Sequence, residues 1–199
     1  MNMLPFSSLW RLLLLLALAG LGSGLLVPAG PAAAQGVTTA AERQAVRALV
    51  VAEARAMRFP VSLALAVARA ESDFDPRVES HMGARGVMQI MPRTAAEEYG
   101  IPADLLWQPR LNVRLGIHFL KRLLRRYRGR TELALSYYNG GSAVGDLPHA
   151  RVMPATRDYV RKVRRYQRQY RREMLNESTR LWTRSRLRPR YWRPAKAAN

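Results

Sequence analysis

Cysteine is absent from this 199-residue chain. That excludes a disulfide framework and a lipid-modified cysteine at a processed N-terminus. Histidine is scarce: His81, His118 and His149 are scattered and show no metal-ligand spacing, so neither a metal nor a cofactor is expected. Acidic residues number 14 against 33 Lys and Arg, a formal net charge of +19. Long apolar runs are missing except for one, "LLLLLALAGLGSGLLV", 16 residues without a charge. It is short for a spanning helix, and Gly20, Gly22 and Gly24 weaken it further. With Arg11 ahead of it and the Ala-x-Ala of "PAGPAAAQG" behind, it reads as a secretory signal peptide, residues 1–34, cleaved after Ala34. An uncleaved N-terminal anchor is the alternative.

The processed chain then begins at Gln35 with 165 residues and a net charge of +18, having lost only Arg11. An exported chain without disulfides suits a bacterial periplasm. Excess positive charge usually points to nucleic acid, but export removes that partner. The polyanions met outside the cytoplasm are phospholipid headgroups, lipopolysaccharide and the peptide carboxylates of the cell wall. The charge is also unevenly placed, with 15 Lys and Arg against 3 Asp and Glu in residues 157–196. It therefore describes the C-terminal end rather than the core.

Thr39-Ala-Ala-Glu42 has the spacing of a capping box and predicts a helix to about Met57. After Pro60, "VSLALAVARAES" is almost continuously apolar, the mark of a buried helix. Asp75-Pro76 is expected to stop it. "GVMQI", between glycines, predicts a small β element at residues 84–91. Pro92 opens another helix and Gly100 closes it. Leu115, Phe119 and Leu123 repeat at helical spacing across residues 112–127. Gly116 within that helix costs about 1 kcal/mol relative to Ala, and reads as the close approach of another backbone. "TELALSYYN" is a short helix and "GGSAVGDLP" a loop. A last helix begins near Thr156, with a tyrosine stripe from Tyr159 to Tyr170. From Asn176 onward, Pro189, Pro194 and dense arginine imply a tail with little core. The expectation is a mostly helical α+β domain at 35–175, followed by a basic, disordered tail at 176–199.

Glu71 ends the buried helix in "AESDFDP". There the negative end of the helix dipole disfavours a carboxylate, and apolar neighbours would raise its pKa in the same direction. That is how a carboxylic acid is kept protonated for general-acid work. The plain alternative is a solvated glutamate at a helix end.

Four stretches, "ARAESDFDP", "GARGVMQIMPRTA", "LNVRLGIHFLKRLL" and "LALSYYNGG", stand in an order that resembles the lysozyme-like lytic transglycosylases of the soluble type, which cleave bacterial peptidoglycan. "TRDYVRKV" is a weaker fifth. The resemblance implies a lysozyme-like fold and assigns Glu71 as catalytic acid and base. It places Gln89 and Met88 along the sugar cleft, Tyr138 and Asn139 beside the glutamate, Ser80 near the same site, and Tyr159 in the closing motif. Each has a structural reading too: Met88 as the buried face of a strand, Tyr138 as core, Ser80 as a turn residue, Tyr159 as packing. Hydrolytic glycosidases normally need two carboxylates. Here Asp73 would face elsewhere on a continued helix, and Asp75 reads as a turn residue. A transglycosylase manages with one. The implied reaction protonates the glycosidic oxygen between N-acetylmuramic acid and N-acetylglucosamine. The same carboxylate then deprotonates the muramoyl 6-hydroxyl, which attacks C1 to close a 1,6-anhydro ring.

Two departures stand out. The family usually has "YNAGP" where this chain has "YNGGS", and Glu-Thr where it has Ala155-Thr156, which removes a carboxylate from the far side of the cleft. The competing readings are a muramidase that hydrolyses the same bond and a non-catalytic wall-binding protein. Enzymes of this type can also serve a secretion or conjugation machine. The tail, mixing Trp182, Tyr191 and Trp192 with arginine, suits attachment to an anionic membrane or wall surface.

Overall fold

The computed structural model describes residues 38–186, with side chains described to residue 180. The leader expected at 1–34 and everything beyond residue 186 lie outside the described residues. Among the described residues are six α-helices: α1 (Ala40–Ala56), α2 (Val61–Ser72), α3 (Pro92–Tyr99), α4 (Pro109–Arg126), α5 (Thr131–Gly140) and α6 (Arg157–Arg186). Three short 3-10 turns join them, at Ala103–Trp107, Gly141–Val144 and Pro154–Thr156.

α1 begins as its capping box predicts. The Thr39 hydroxyl accepts from the Glu42 amide at 3.1 Å, and Glu42 Oε2 accepts from the Thr39 amide at 2.7 Å. Its inner face carries Val46, Val50 and Ala54, with Glu53 buried between them and α4. That acid is paired with Arg114 at 2.6 Å and Arg110 at 3.4 Å, so the charge is compensated where it is desolvated.

α2 is the centre. Leu63 through Ala68 are all buried, which the all-round apolar sequence required, and α1 and α6 cover it. Each large aliphatic side chain buried in this way contributes about 1.5–3 kcal/mol. The helix does not end at Pro76 as expected. Asp73 and Phe74 both turn left-handed, at φ 50° and 65°. Arg43 holds the turn from α1, donating to the Asp73 carbonyl at 2.8 Å and its carboxylate at 2.9 Å, while Phe74 is buried. The burial and the arginine offset a backbone conformation that costs about 1–3 kcal/mol per residue.

The β element expected at 84–91 is reduced to two isolated bridges, Glu79 with Arg85 and Arg85 with Ile90. Gly86 at φ 74° and Gln89 at φ 49° curl the chain too tightly for a strand. Arg85 and Ile90 instead exchange a pair of backbone hydrogen bonds at 3.0 Å across a turn. Gly116 also has a different partner from the one expected. It admits a side chain, since a Cβ there would lie 2.6 Å from Met88 Cβ. Finally, α6 runs from Arg157 to Arg186 as one helix.

Candidate active site

Glu71 lies in the last turn of α2, and α6 crosses that end. The Tyr159 hydroxyl, in the first turn of α6, donates to Glu71 Oε1 at 2.5 Å. One turn further along, Lys162 Nζ donates to the carbonyl of Ala70 at 3.0 Å. Burial raises the Glu71 carboxyl from its ordinary 4.5 to about 7, against the Tyr159 hydrogen bond and the Lys162 charge, which both lower it. The group is thus poised between its two protonation states near neutrality. The phenols of Tyr138 and Tyr159 are held well above 10, by burial first and then by the charge on Glu71. Both remain neutral donors.

Beneath the acid, the turn at 85–90 is bolted to three helices. Ser72 Oγ, next to Glu71, donates to the Val87 carbonyl at 2.9 Å. The Tyr138 hydroxyl, from α5, donates to the Met88 carbonyl at 2.7 Å, and its ring lies 5.5 Å from that of Phe119 on α4. Asn112, buried at the start of α4, accepts from the Met88 amide at 2.7 Å and donates to the carbonyls of Arg85 and Leu106 at 2.8 and 3.0 Å. Every polar atom of that buried amide is satisfied, which is what a buried network requires.

The expected site residues therefore divide. Glu71 and Tyr159 are in direct contact, and Tyr138 stands close enough for the Glu71 charge to act on it. Met88, expected along the sugar cleft, is fully buried and packed against Gly116. Gln89 is half-buried, and its amide nitrogen donates to the carbonyls of Val78 and Gly86, both at 3.0 Å. Ser80 holds its own turn, its hydroxyl accepting from the Ala84 amide at 3.0 Å. Asn139 is exposed at the end of α5. Asp73 and Asp75 are both drawn to Arg43, at 2.9 and 4.0 Å.

Lys162, Asn112 and Ser72 escaped the sequence reading. Lys162 had a usable signal, lying three residues after Tyr159 on the same helical face. Asn112 is a lone amide on the apolar side of α4, one turn before Gly116.

With this geometry the chain matches the profile of the transglycosylase SLT domain over residues 48–147, half its length. The chain belongs to the SLT family. Among relatives of that family, the soluble lytic murein transglycosylase of Escherichia coli K12 is 36% identical over 90 residues, covering 41% of this chain and 14% of the relative. The Salmonella typhimurium protein of the same name is 36% identical over 88 residues, 40% of this chain and 14% of the relative. Among solved structures, an inactive mutant of lytic transglycosylase Slt from Pseudomonas aeruginosa, with glutamate changed to glutamine, aligns at TM-score 0.55 and 31% identity. It covers 64% of this chain and 24% of that one. The 70-kDa soluble lytic transglycosylase of E. coli aligns at TM-score 0.54 and 28% identity, with the same coverage. This chain thus spans a small fraction of the length of these relatives. Tyr159 and Lys162 lie on α6, beyond the SLT match.

Proposed function

We propose that this SLT domain is a periplasmic peptidoglycan lytic transglycosylase in which Glu71 serves as acid and then as base. One observation carries the reading: a single carboxyl, raised to about 7, is held by a neutral phenol at a helix end, while the neighbouring carboxylates of Asp73 and Asp75 are drawn to Arg43. An acid in that state donates its proton to the glycosidic oxygen between N-acetylmuramic acid and N-acetylglucosamine as the bond to C1 breaks. Its ionised form then takes the proton of the muramoyl 6-hydroxyl as that oxygen bonds to C1. Glu71 is returned protonated, and no water is consumed. The substrate's acetamido group assists by stabilising the cationic intermediate.

Hydrolysis would need a second carboxylate placed to activate water or trap the sugar, with the two carboxyl groups roughly 5–9.5 Å apart. The names of the relatives support murein as substrate. The inactive glutamate-to-glutamine mutant of the Pseudomonas protein supports a glutamate as the working group. Gln89, Tyr138 and the exposed Asn139 are the candidates to orient the sugar.

Digestion of purified peptidoglycan in heavy-oxygen water tests the assignment. Transglycosylation gives anhydro ends, lighter by one water and without label. Labelled reducing ends would make this a muramidase. Binding without release would make it a wall-binding module.

A further inference from the structure

A half-buried acid that must ionise halfway through its reaction needs a counter-charge, and α6 brings one. The last carbonyls of a helix have no partner within it. In α2 the Arg69 carbonyl is taken by the Asp73 amide at 3.2 Å, and the Ala70 carbonyl by Lys162 Nζ. Lys162 thereby places a cation at the negative end of the α2 dipole, against the residue that immediately precedes Glu71. Tyr159 and Lys162, three residues apart on one face of α6, reach the acid and the carbonyl of the residue before it.

The other groups around this end are otherwise engaged. On α2, Arg69 turns away to Gln169 and lies 4.4 Å over the Tyr166 ring. Asp73 is paired with Arg43. From the loop side, Arg85 is paired with Glu79 at 3.3 Å. From α5, Tyr138 is neutral and donates to the Met88 carbonyl. Among the described residues, Lys162 is the cation whose charge acts on the Glu71 carboxyl.

Resting on the transglycosylase reading, we infer that Lys162 is a positioning residue: it caps the end of α2 and supplies the counter-charge that lets Glu71 ionise between the acid and base steps. α6 then belongs to the working site, although it lies outside the SLT match. The carboxylate left after protonation of the leaving oxygen would otherwise be a desolvated charge held by the Tyr159 hydrogen bond alone, with no counter-cation.

The test is a carbon-13 NMR titration of the Glu71 carboxyl in the full chain, in the unmutated protein and in Lys162→Met, Lys162→Gln and Lys162→Arg. Gln retains a donor for the Ala70 carbonyl but carries no charge, so it separates capping from electrostatics. The midpoint is expected to rise by about one pH unit in the Met and Gln variants, and to return toward the original in Arg. The alkaline limb of kcat against pH should move by the same amount, with kcat at pH 7 down about tenfold, as weakened stabilisation of the ionised state implies. An unchanged midpoint in Gln and Met, with only a lower melting temperature, would reduce Lys162 to a helix pin and overturn the inference. The titration needs no turnover. If the unmutated chain released no anhydro product, that failure would belong to the proposed function, and the midpoints would still decide the role of Lys162.

Discussion

At the scale of single residues, the acid sits where its environment works against its charge. Folding favours the protonated form of Glu71, whose pKa rises from 4.5 to about 7. The sign follows directly. Below pH 4.5 the group is protonated in both folded and unfolded states and costs nothing. Between 4.5 and about 7 only the unfolded chain ionises freely, so stability falls as pH rises, by up to ~3 kcal/mol once both states are charged. Glu71→Gln should therefore match the unmutated protein in denaturant melts at pH 4 and exceed it at pH 8. Equal stabilities at pH 8 would deny the burial penalty. Tyr159→Phe removes the donor on Oε1. Activity is expected to fall about 10- to 100-fold, the worth of a hydrogen bond to a charged group, and the alkaline limb of the pH–rate profile to move up. The place of Glu71 at the end of an apolar helix is legible in the sequence, whereas its choice as the acid rests on the resemblance of the flanking stretches. Contact with Tyr159, 88 residues away, was not legible from periodicity, since a tyrosine stripe reads first as packing. Lys162 was hidden for a similar reason, being one cation among many on a basic helix.

At the scale of elements, the site is built where three helices grip one short turn. The helices themselves were readable. A capping box, an all-apolar run and Pro92 placed the starts of α1, α2 and α3 correctly. Their ends were less so, because the left-handed turn at Asp73–Phe74 depends on Arg43 from another helix. The small β element expected at 84–91 comes down to a turn with two isolated bridges, because a short apolar run buried on several sides carries no periodicity that separates strand from turn. Its true anchor is Asn112. Asn112→Ala leaves the Met88 amide and the Leu106 carbonyl without their partner and the Arg85 carbonyl with only its Ile90 bond, and should cost about 2–4 kcal/mol in thermal or urea unfolding. If Asn112→Ala melted within a degree of the unmutated protein, Asn112 would not be what holds the turn.

At the scale of the whole molecule, charge and chemistry are separated. The acid lies in the last turn of α2 against the start of α6, while α6 carries basic residues from Arg157 to its end at Arg186. Truncation after Leu175 removes seven Lys and Arg and one Glu. Near an anionic bilayer each basic residue contributes about 1 kcal/mol. Binding to acidic vesicles or to sacculi should therefore weaken with salt and be largely lost on truncation, whereas release of muropeptides from soluble glycan fragments should persist. Undiminished binding by the truncated chain would remove the attachment role and leave any docking to a secretion-type machine without this support.

The central claim is that one carboxyl does both halves of the reaction. The most direct measurement compares the full chain with its Glu71→Gln variant on purified peptidoglycan, weighing released muropeptides by mass spectrometry. The account predicts anhydro-muramoyl ends from the unmutated chain and none from the variant, which should remain folded and bind the wall. Anhydro ends from Glu71→Gln at an undiminished rate, or reducing ends from the unmutated chain, would contradict it.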